Sequence, residues 1–165
     1  MLKIGLGLDS HRLISKTISP NPKNLILGGF TVSQDFYFDS DSDGDVVLHS
    51  LCNAFSSSLG SGSLNTWAGP MCKDGITDSR LYLTKIISIL KDQNLSISNV
   101  SIAVEGSQPK LETFRDDIKT SLSSILEIPT NNIGITFTSG QDLTSFGLGQ
   151  GIQATSIVLI FQNDL

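Results

Sequence analysis

Residues 39–49 read Asp-Ser-Asp-Ser-Asp-Gly-Asp-Val-Val-Leu-His, an acidic run that leads directly into an apolar segment. Apolar side chains recur at helical spacing from Val46 onward, so the pattern predicts a helix that a glycine-rich run then ends. Asp43 or Asp45 can cap the free amide groups at its start. The pattern therefore predicts that His49 lies one turn inside a capped helix, close to several carboxylates.

A second polar motif, Asp9-Ser10-His11, follows an apolar run that predicts the first strand. Residues two apart on a strand point to the same side, so the Asp9 carboxylate and the His11 imidazole can converge. Both histidines of the chain, His11 and His49, fall in these two motifs. One carboxylate and two imidazoles with a fourth position open are typical of a catalytic zinc site. We expect one zinc per chain; the alternative is that each histidine is structural or on the surface.

The acidic run also has an alternative interpretation as a calcium loop, because three alternate acids and Gly44 have the required offsets. Such a loop needs a bidentate glutamate at its twelfth position, where Ser50 stands. It also needs an entering helix, whereas residues 36–38 have an extended pattern. These two departures make calcium the weaker interpretation.

Elsewhere the apolar pattern has either a period of two, which predicts strands, or a helical period. Candidate strands lie at residues 2–9, 25–32 (interrupted by Gly28-Gly29), 100–104, 133–137 and 152–161, and further helices begin at Asp78 and near Pro109. Residues 65–75 lack periodicity and predict a loop. The order predicts an α+β sandwich, a mixed sheet with helices on one face. Because the other face then needs cover, we expect oligomerisation.

Length and composition exclude several classes of protein. The 165 residues suit one domain, 1–165, at about 100–200 residues per domain. The net charge of −5 argues against a nucleic-acid binder that neutralises phosphates. No apolar run reaches the ~18 residues of a membrane span, and the first residues lack a signal-peptide pattern. Cys52 and Cys72 have neither metal-site spacing nor disulfide density, which predicts reduced thiols in a cytoplasmic protein.

Two glycine-bearing stretches are candidates for phosphate contacts. Gly5-Leu-Gly7 lies inside a predicted strand and lacks the third glycine of a dinucleotide fingerprint, so this candidate is weak. Residues 147–151, Gly-Leu-Gly-Gln-Gly, precede the last strand and could form a nest of amides for an anion. A flexible turn is an equal alternative for this second stretch.

Several motifs occur together and in a definite order. They are Asp9-Ser-His11, Gly28-Gly29, Ser42-Asp-Gly-Asp-Val-Val-Leu-His49, Asp78-Ser-Arg80, Asn99-Val100, Gln108-Pro-Lys110 and Gly147-x-Gly-x-Gly151. This pattern resembles the 2-C-methyl-D-erythritol 2,4-cyclodiphosphate synthase family. The resemblance implies a four-stranded mixed sheet backed by helices on one face, a two-layer sandwich that assembles as a homotrimer with active sites between subunits.

The resemblance also implies an enzyme of the non-mevalonate isoprenoid pathway, a phosphorus–oxygen lyase. Its reaction would cyclise 4-diphosphocytidyl-2-C-methyl-D-erythritol 2-phosphate to 2-C-methyl-D-erythritol 2,4-cyclodiphosphate and release CMP. Beside the zinc on Asp9, His11 and His49, a second divalent ion, Mg²⁺ or Mn²⁺, would bridge the substrate phosphates. The implied substrate-binding residues are Asp9, Ser10, His11, Asp41, Ser42, Ser61, Gly62, Ser63, Lys110, Thr138, Ser139 and Gln141, and the implied catalytic residues are Asp41 and Ser139.

Some positions depart from the family pattern. Asp41 stands in place of a histidine, Ser139 of a threonine and Gln141 of a glutamate. Residues 61–63 replace an Asp-x-Gly element, and Leu148 takes the position of an arginine that faces the trimer axis. We expect Asp41 to help hold the second divalent ion, with a solvated loop acid as the alternative. We expect Leu148 to weaken any anion site on the axis.

Two other functions stay open at this point. A chain that kept the fold and the zinc but lost catalysis would bind a ligand or a partner without releasing CMP. An unrelated metal-dependent phosphohydrolase would release inorganic phosphate without forming a cyclic product. The phosphorus-containing products therefore separate the three possibilities.

Overall fold

The computed structural model describes residues 1–163, and a five-stranded mixed sheet is its main element. The strands are β1 (Leu2–Ser15), β2 (Leu25–Leu27), β3 (Phe30–Ser33), β4 (Phe36–Asp39), β5 (Leu95–Glu105), β6 (Ile133–Thr138) and β7 (Gly151–Gln162). The α-helices are α1 (Val46–Ser58), α2 (Leu64–Lys73), α3 (Ser79–Asp92) and α4 (Arg115–Leu126). The sheet order is β4-β1-β7-β5-β6, with β5 and β6 parallel and the other neighbours antiparallel. The predicted domain end at residue 165 lies outside the described residues.

The α+β class and the mixed sheet are confirmed, but the expected number of four strands is wrong. The difference comes from β1, which continues past Asp9 to Ser15 and so offers a free edge. β4 pairs antiparallel with this second half of β1, with Arg12 opposite Asp39. The polar motif at the end of the predicted strand hid the extension, because the strand length was estimated from apolar residues.

Two helical predictions also need correction. Residues 65–75 predict a loop, because Gly69-Pro70 interrupts the apolar pattern. Residues 65–73 instead belong to α2, in which Ala68 is buried against the core. Pro109 lies outside the helix whose first turn it was predicted to occupy. A short 3₁₀ turn, Leu111–Phe114, follows it, and α4 begins only after that turn. The predicted helix at Asp78 is confirmed, with the Asp78 side chain as its cap.

The candidate strand at residues 25–32 forms the β2–β3 hairpin instead of one strand. Its interruption, Gly28-Gly29, has φ angles of 60° and 77°. Glycine reaches this left-handed region without a steric penalty, and two such residues in succession make a tight hairpin turn. The turn faces the start of α1, since the Gly28 amide donates to the side chain of Asp45.

Helix α1 lies across β1 and β7, and the apolar core fills the space between the sheet and the helices. The backbones of α1 and β1 approach each other very closely. A Cβ atom at Gly5 would lie 1.8 Å from the carbonyl oxygen of Ala54, and one at Gly7 would lie 2.1 Å from that of Ser50. Gly5-Leu-Gly7 is therefore a helix-packing element, and the phosphate-contact interpretation of this stretch is wrong.

The even-numbered residues of β1 point to the side of the sheet opposite α1. Leu2, Ile4, Leu6 and Leu8 are 68%, 70%, 59% and 53% exposed, and they define what we call the open sheet face. Ile157 of β7 extends the same apolar surface. Within the described residues, no helix combines the length and the apolar character that a membrane crossing requires.

Candidate metal centre and adjoining cavity

Asp9, His11 and His49 converge between β1 and α1, and we call them the candidate metal centre. Asp9 and His11 lie on the side of β1 that faces α1, and His49 lies in the first turn of α1. Oδ2 of Asp9 is 3.3 Å from Nε2 of His11 and 3.0 Å from Nδ1 of His49. One potential ligand atom from each side chain lies within 4.8 Å of the other two. The close contact at Gly5 and Gly7 allows α1 to bring His49 this near to β1.

The donor set of the candidate metal centre fits a zinc ion. Nε2 of His11 is buried, and no group among the described residues forms a hydrogen bond with it, since the 3.3 Å contact with Asp9 lacks hydrogen-bond geometry. A buried ring nitrogen without a partner is costly unless another group, such as a cation, satisfies it. One carboxylate and two imidazoles leave a fourth position open for a water or a substrate oxygen. The three residues could therefore hold Zn²⁺ in a catalytic type of site.

The two histidines have different electrostatic environments. Burial lowers the pKa of His11, although the charge of Asp9 acts in the opposite direction. The His11 ring is then neutral at neutral pH, the form that binds metal ions. Burial also disfavours the charged form of His49, but the hydrogen bond and the charge of Asp9, together with the charges of Asp45 and Asp43, outweigh burial and raise the pKa of His49. A metal cation would take the place of the proton between His49 and Asp9.

Asp45 belongs to the acidic run of residues 39–45, but its carboxylate stabilises the fold. It is fully buried, and its carboxylate accepts hydrogen bonds from the amides of Gly28 and Gly29 at 2.9 and 2.7 Å. It also accepts from two amides in the first turn of α1, so Asp45 is the helix cap. Burial and the nearby charge of Asp43 raise the pKa of Asp45 to about 7, while the amide hydrogen bonds act against this rise. These contacts leave its oxygens directed at amides and away from the cavity.

Asp43 of the same acidic run also has its own hydrogen-bond partners. The Asp43 carboxylate accepts hydrogen bonds from the backbone and the hydroxyl of Ser79, and Asp41 is exposed. Among residues 1–163, the His, Cys, Asp and Glu side chains that lie close enough to share one ion are those of the candidate metal centre, which includes no acid of residues 39–45. The calcium-loop interpretation is therefore wrong, because the acids do not converge.

An open cavity of about 710 Å³ adjoins the candidate metal centre. The predicted site residues in its wall are Asp9, His11, Asp41, Ser42, His49 and Ser63. Helix α2, which follows Ser63, contributes a second wall that the sequence did not predict, because residues 65–75 were interpreted as a loop. The charged side chains of the wall are Asp9, Asp39, Asp41 and Lys73, so the cavity is acidic overall.

The remaining predicted site residues lie outside this cavity. Ser10 follows Asp9 in β1, so its side chain points to the opposite face of the sheet and is exposed. Ser61 and Gly62 are exposed just before α2. Lys110, Thr138, Ser139 and Gln141 are also exposed, near the ends of β5 and β6 and in the turns after them. A single copy of the described chain therefore brings together only part of the predicted set.

The glycine-rich stretch 147–151 forms a compact turn. The amides of Gly147 and Leu148 donate to the side chain and the carbonyl of Thr144. The next two amides donate to the carbonyl oxygens of Phe146 and Ser145. Because these amides are already satisfied within the turn, the turn interpretation is correct and the anion-nest interpretation is wrong.

Sequence reasoning missed several residues that shape the cavity. The Lys23 ammonium group donates to the carbonyl oxygens of Ser40 and Ser42 and holds the rim in place. Asn53 donates to the carbonyl of Leu8 and accepts from the amide of Leu64, which ties α2 to β1. A single lysine or asparagine outside a motif gives no signal in one sequence, so neither contact could have been predicted.

Comparison with known proteins decides the family. The sequence model of the YgbB family matches residues 2–161. This chain belongs to the YgbB family. One relative, the 2-C-methyl-D-erythritol 2,4-cyclodiphosphate synthase of Chlamydia trachomatis serovar L2b, is 39% identical over 161 residues, which are 97% of this chain and 88% of the relative.

Solved structures agree with the YgbB-family assignment. The IspF protein of Plasmodium falciparum in complex with CDP has a TM-score of 0.84 at 25% identity, covering 99% of this chain and 97% of that one. A CDP-bound 2C-methyl-D-erythritol-2,4-cyclodiphosphate synthase has a TM-score of 0.83 at 26% identity, covering 96% and 100%. The family resemblance inferred from the motifs is thus confirmed over nearly the whole chain.

Proposed function

We propose that this YgbB-family chain is a phosphorus–oxygen lyase that forms 2-C-methyl-D-erythritol 2,4-cyclodiphosphate, as the name of its relatives states. Its substrate would be 4-diphosphocytidyl-2-C-methyl-D-erythritol 2-phosphate, and CMP would leave. The observation that carries the proposal is the convergence of Asp9, His11 and His49 beside an open cavity in a chain of this family. The place of the enzyme would be isoprenoid biosynthesis.

The reaction is an intramolecular phosphoryl transfer. An oxygen of the 2-phosphate would form a bond to the β-phosphorus, and the bond from that phosphorus to the oxygen of CMP would break. Such a transfer needs alignment of the reacting groups and neutralisation of their charge more than it needs covalent help. Because both reacting groups are on one substrate, a cavity that folds the substrate back on itself would provide most of this alignment.

The acidic wall creates a need for cations. Asp9, Asp39 and Asp41 face the cavity, and a substrate with three phosphate groups is repelled by them in the absence of counterions. Zn²⁺ on the candidate metal centre, with Mg²⁺ or Mn²⁺ as a second ion, would supply Lewis acidity and offset phosphate charge. Lys73 contributes a positive charge from α2. Asp41, which is exposed in the wall, would help hold the second ion.

A homotrimer would complete the site. Lys110, Thr138, Ser139 and Gln141 lie outside the cavity that contains the candidate metal centre, so a neighbouring subunit is the natural source of these groups. The open sheet face supports an assembly, because large apolar patches on a monomer are rarely left exposed to water. Leu148 is also exposed, and its role near a trimer axis stays a prediction, as do a cytoplasmic location and a single domain over residues 1–165.

The test is to incubate the purified chain with the cytidylated substrate and Mg²⁺ and to follow the products by phosphorus NMR. We expect a cyclic diphosphate and stoichiometric CMP. Zinc binding without CMP release would indicate a fold that has lost catalysis, and inorganic phosphate without a cyclic product would indicate a phosphohydrolase. His11→Ala and His49→Ala should each lose most of the bound zinc and the turnover. A full equivalent of tightly bound zinc in both variants would contradict the metal assignment.

The same assay tests Asp41. If Asp41 supports the second ion, Asp41→Asn should need more Mg²⁺ for half-maximal cyclisation, because the ion loses a negatively charged ligand. Asp41→His should relieve part of this requirement, because a histidine can donate directly to a phosphate oxygen. An unchanged Mg²⁺ dependence in both variants, with turnover intact, would make Asp41 a solvated loop acid.

A further inference from the structure

The side of the His49 ring that faces away from Asp9 contacts a buried hydroxyl group. Nε2 of His49 lies 2.7 Å from Oγ of Ser79, the first residue of α3. Ser79 is fully buried, and its hydroxyl donates to Oδ1 of Asp43. His49, Ser79 and Asp43 therefore form a continuous hydrogen-bonded series, which we call the support chain. Neither Ser79 nor Asp43 belongs to the predicted substrate-binding, catalytic or metal-binding residues.

The direction of the hydrogen bonds in the support chain follows from the number of protons available. A serine hydroxyl has a single proton, and Ser79 gives that proton to the carboxylate of Asp43. Oγ of Ser79 can then only accept from His49, so Nε2 of His49 carries a proton and donates it. This arrangement leaves Nδ1, which faces Asp9, as the ring nitrogen available to a metal ion.

Asp43 is itself held firmly. Its Oδ2 accepts from the Ser79 amide at 2.9 Å, and its Oδ1 also accepts from the Asp45 amide at 3.1 Å. Its own amide donates to the carbonyl oxygen of Thr77 at 2.9 Å. The support chain thus joins the loop before α1 to the start of α3. The orientation of the His49 ring is set by both elements, not by the rotamer of one side chain.

A competing partner for the ring, Ser42, makes a weaker contact. Its Oγ lies 3.5 Å from Nε2 of His49, against 2.7 Å for Ser79. The Ser42 hydroxyl oxygen is also engaged by the amide of Gly44 at 3.1 Å. Hydrogen bonds weaken steeply near 3.5 Å. Ser79 is therefore the group that orients the ring.

We propose that Ser79, backed by Asp43, is a positioning residue that fixes the tautomer and the orientation of His49 for metal binding. Histidine ligands commonly donate their second ring N–H to a carboxylate, a carbonyl or a water, and such partners hold the ring in its productive orientation. Here a serine hydroxyl stands between the histidine and the carboxylate. This inference rests on the proposed zinc centre and assigns a role to two residues outside its ligand set.

The experiment measures the Zn²⁺ affinity of the full-length chain by competition with a chromophoric chelator. Ser79→Ala removes the acceptor for Nε2, and we expect it to bind Zn²⁺ about 10–100-fold more weakly than the wild type. Ser79→Thr keeps the hydroxyl and should retain most of the affinity. The matched control is Ser50→Ala, which removes a different buried hydroxyl, one in α1 that contacts Ser156 at 2.7 Å and not the ring. Its Zn²⁺ affinity should stay at the wild-type value.

Nitrogen NMR of the histidine rings separates a positioning role from a general loss of structure. In the zinc-loaded wild type we expect a slowly exchanging proton on Nε2 of His49, and in Ser79→Ala the exchange of this proton should become fast. Wild-type affinity in Ser79→Ala, an equal loss in Ser50→Ala, or zinc on Nε2 with the proton on Nδ1 would each overturn the support chain. A wild-type chain that binds no Zn²⁺ would overturn the metal centre of the proposed function, and this inference with it.

Discussion

Asp45 and His49 lie one helical turn apart at the start of α1, yet their polar groups have different kinds of partner. The two oxygens of Asp45 accept hydrogen bonds from four backbone amides, in the Gly28-Gly29 turn and in the first turn of α1. His49 keeps one ring nitrogen directed at Asp9 and the cavity. Local hydrogen-bond partners, not residue type, decide which side chain of the motif is structural and which can bind a ligand.

Asp45 gives a graded prediction for stability. Asp45→Ala leaves buried amides without acceptors, and each such group costs about 1–3 kcal/mol. Asp45→Asn keeps the oxygen that serves three of the four amides, so it should lower the free energy of unfolding by less than Asp45→Ala. Urea titrations followed by circular dichroism measure both values. Asp41→Asn, an exposed control, should change stability by no more than about 0.5 kcal/mol. Equal stability of Asp45→Ala and the wild type would refute the capping role.

The candidate metal centre could be predicted because the chain has only two histidines and both fall in local motifs. Asp9 and His11 converge through strand geometry alone. Ser79 could not be predicted as a partner of His49. The two residues are 30 positions apart and meet only because α3 packs against α1, which no local pattern encodes.

At the scale of elements, the contact between β1 and α1 positions the candidate metal centre. The two glycines of β1 remove the Cβ atoms that would hold α1 away from the strand. The candidate ligands on β1 and on α1 then lie close enough to share one ion. The distance between α1 and β1 therefore determines whether the three side chains of the candidate metal centre can share one ion.

Gly7→Ala tests this distance. The new Cβ would lie 2.1 Å from the Ser50 carbonyl oxygen, so α1 must move, and we expect a loss of about 1–3 kcal/mol in stability together with weaker Zn²⁺ binding. The matched control is Gly134→Ala in β6, where the nearest atom to a new Cβ lies 3.8 Å away. That variant should keep the stability and the Zn²⁺ affinity of the wild type. If Gly7→Ala behaved like Gly134→Ala, the close approach would have no functional importance.

The secondary structure could be predicted where the apolar period is clear, as in α1 and in the strand at residues 152–161, which forms most of the central β7. It could not be predicted at α2, because Gly69 and Pro70 are typical of loops and only one of its residues is fully buried. Residues 36–38 have an extended pattern, but their place as the fifth strand of the sheet could not be predicted because the partner of β4 is the polar end of β1. Tertiary contacts outweigh local propensity at both places.

At the scale of the whole molecule, two surfaces of the monomer are incomplete. The open sheet face exposes four apolar side chains of β1. The cavity contains the candidate metal centre but lacks Lys110 and Thr138, which are exposed elsewhere. A cyclic assembly in which each subunit lends residues to its neighbour would satisfy both surfaces at once.

Mixing two inactive variants tests the shared site. His49→Ala removes the metal-binding half, and Lys110→Ala removes the half expected from a neighbour, so each homotrimer should be nearly inactive. In randomly mixed trimers about a quarter of the junctions join two intact halves, and the mixture should recover about that fraction of wild-type turnover. CMP release after co-refolding measures it, and light scattering checks the trimer.

The control for this experiment is a mixture of His49→Ala with Asp9→Ala, which damages the same half twice and should recover no activity. If the Lys110→Ala mixture recovers no more activity than the sum of its parts, or if the wild type is a monomer at micromolar concentration, then the shared-site assembly is refuted.

The alternation along β1 also constrains how its gene can change. Odd positions carry the glycines and the side chains of the candidate metal centre, whereas even positions carry the apolar residues of the open sheet face. Deleting the codon for Leu8 would bring Ile4 and Leu6 to the places of Gly5 and Gly7, where a Cβ meets the backbone of α1, or turn Asp9 away from His49. Deleting two codons would preserve the alternation, but loss of Gly7 and Leu8 would bring Lys3 to the place of Gly5, where a Cβ meets the backbone of α1. Deletions of an odd number of codons in this segment should therefore be selected against most strongly.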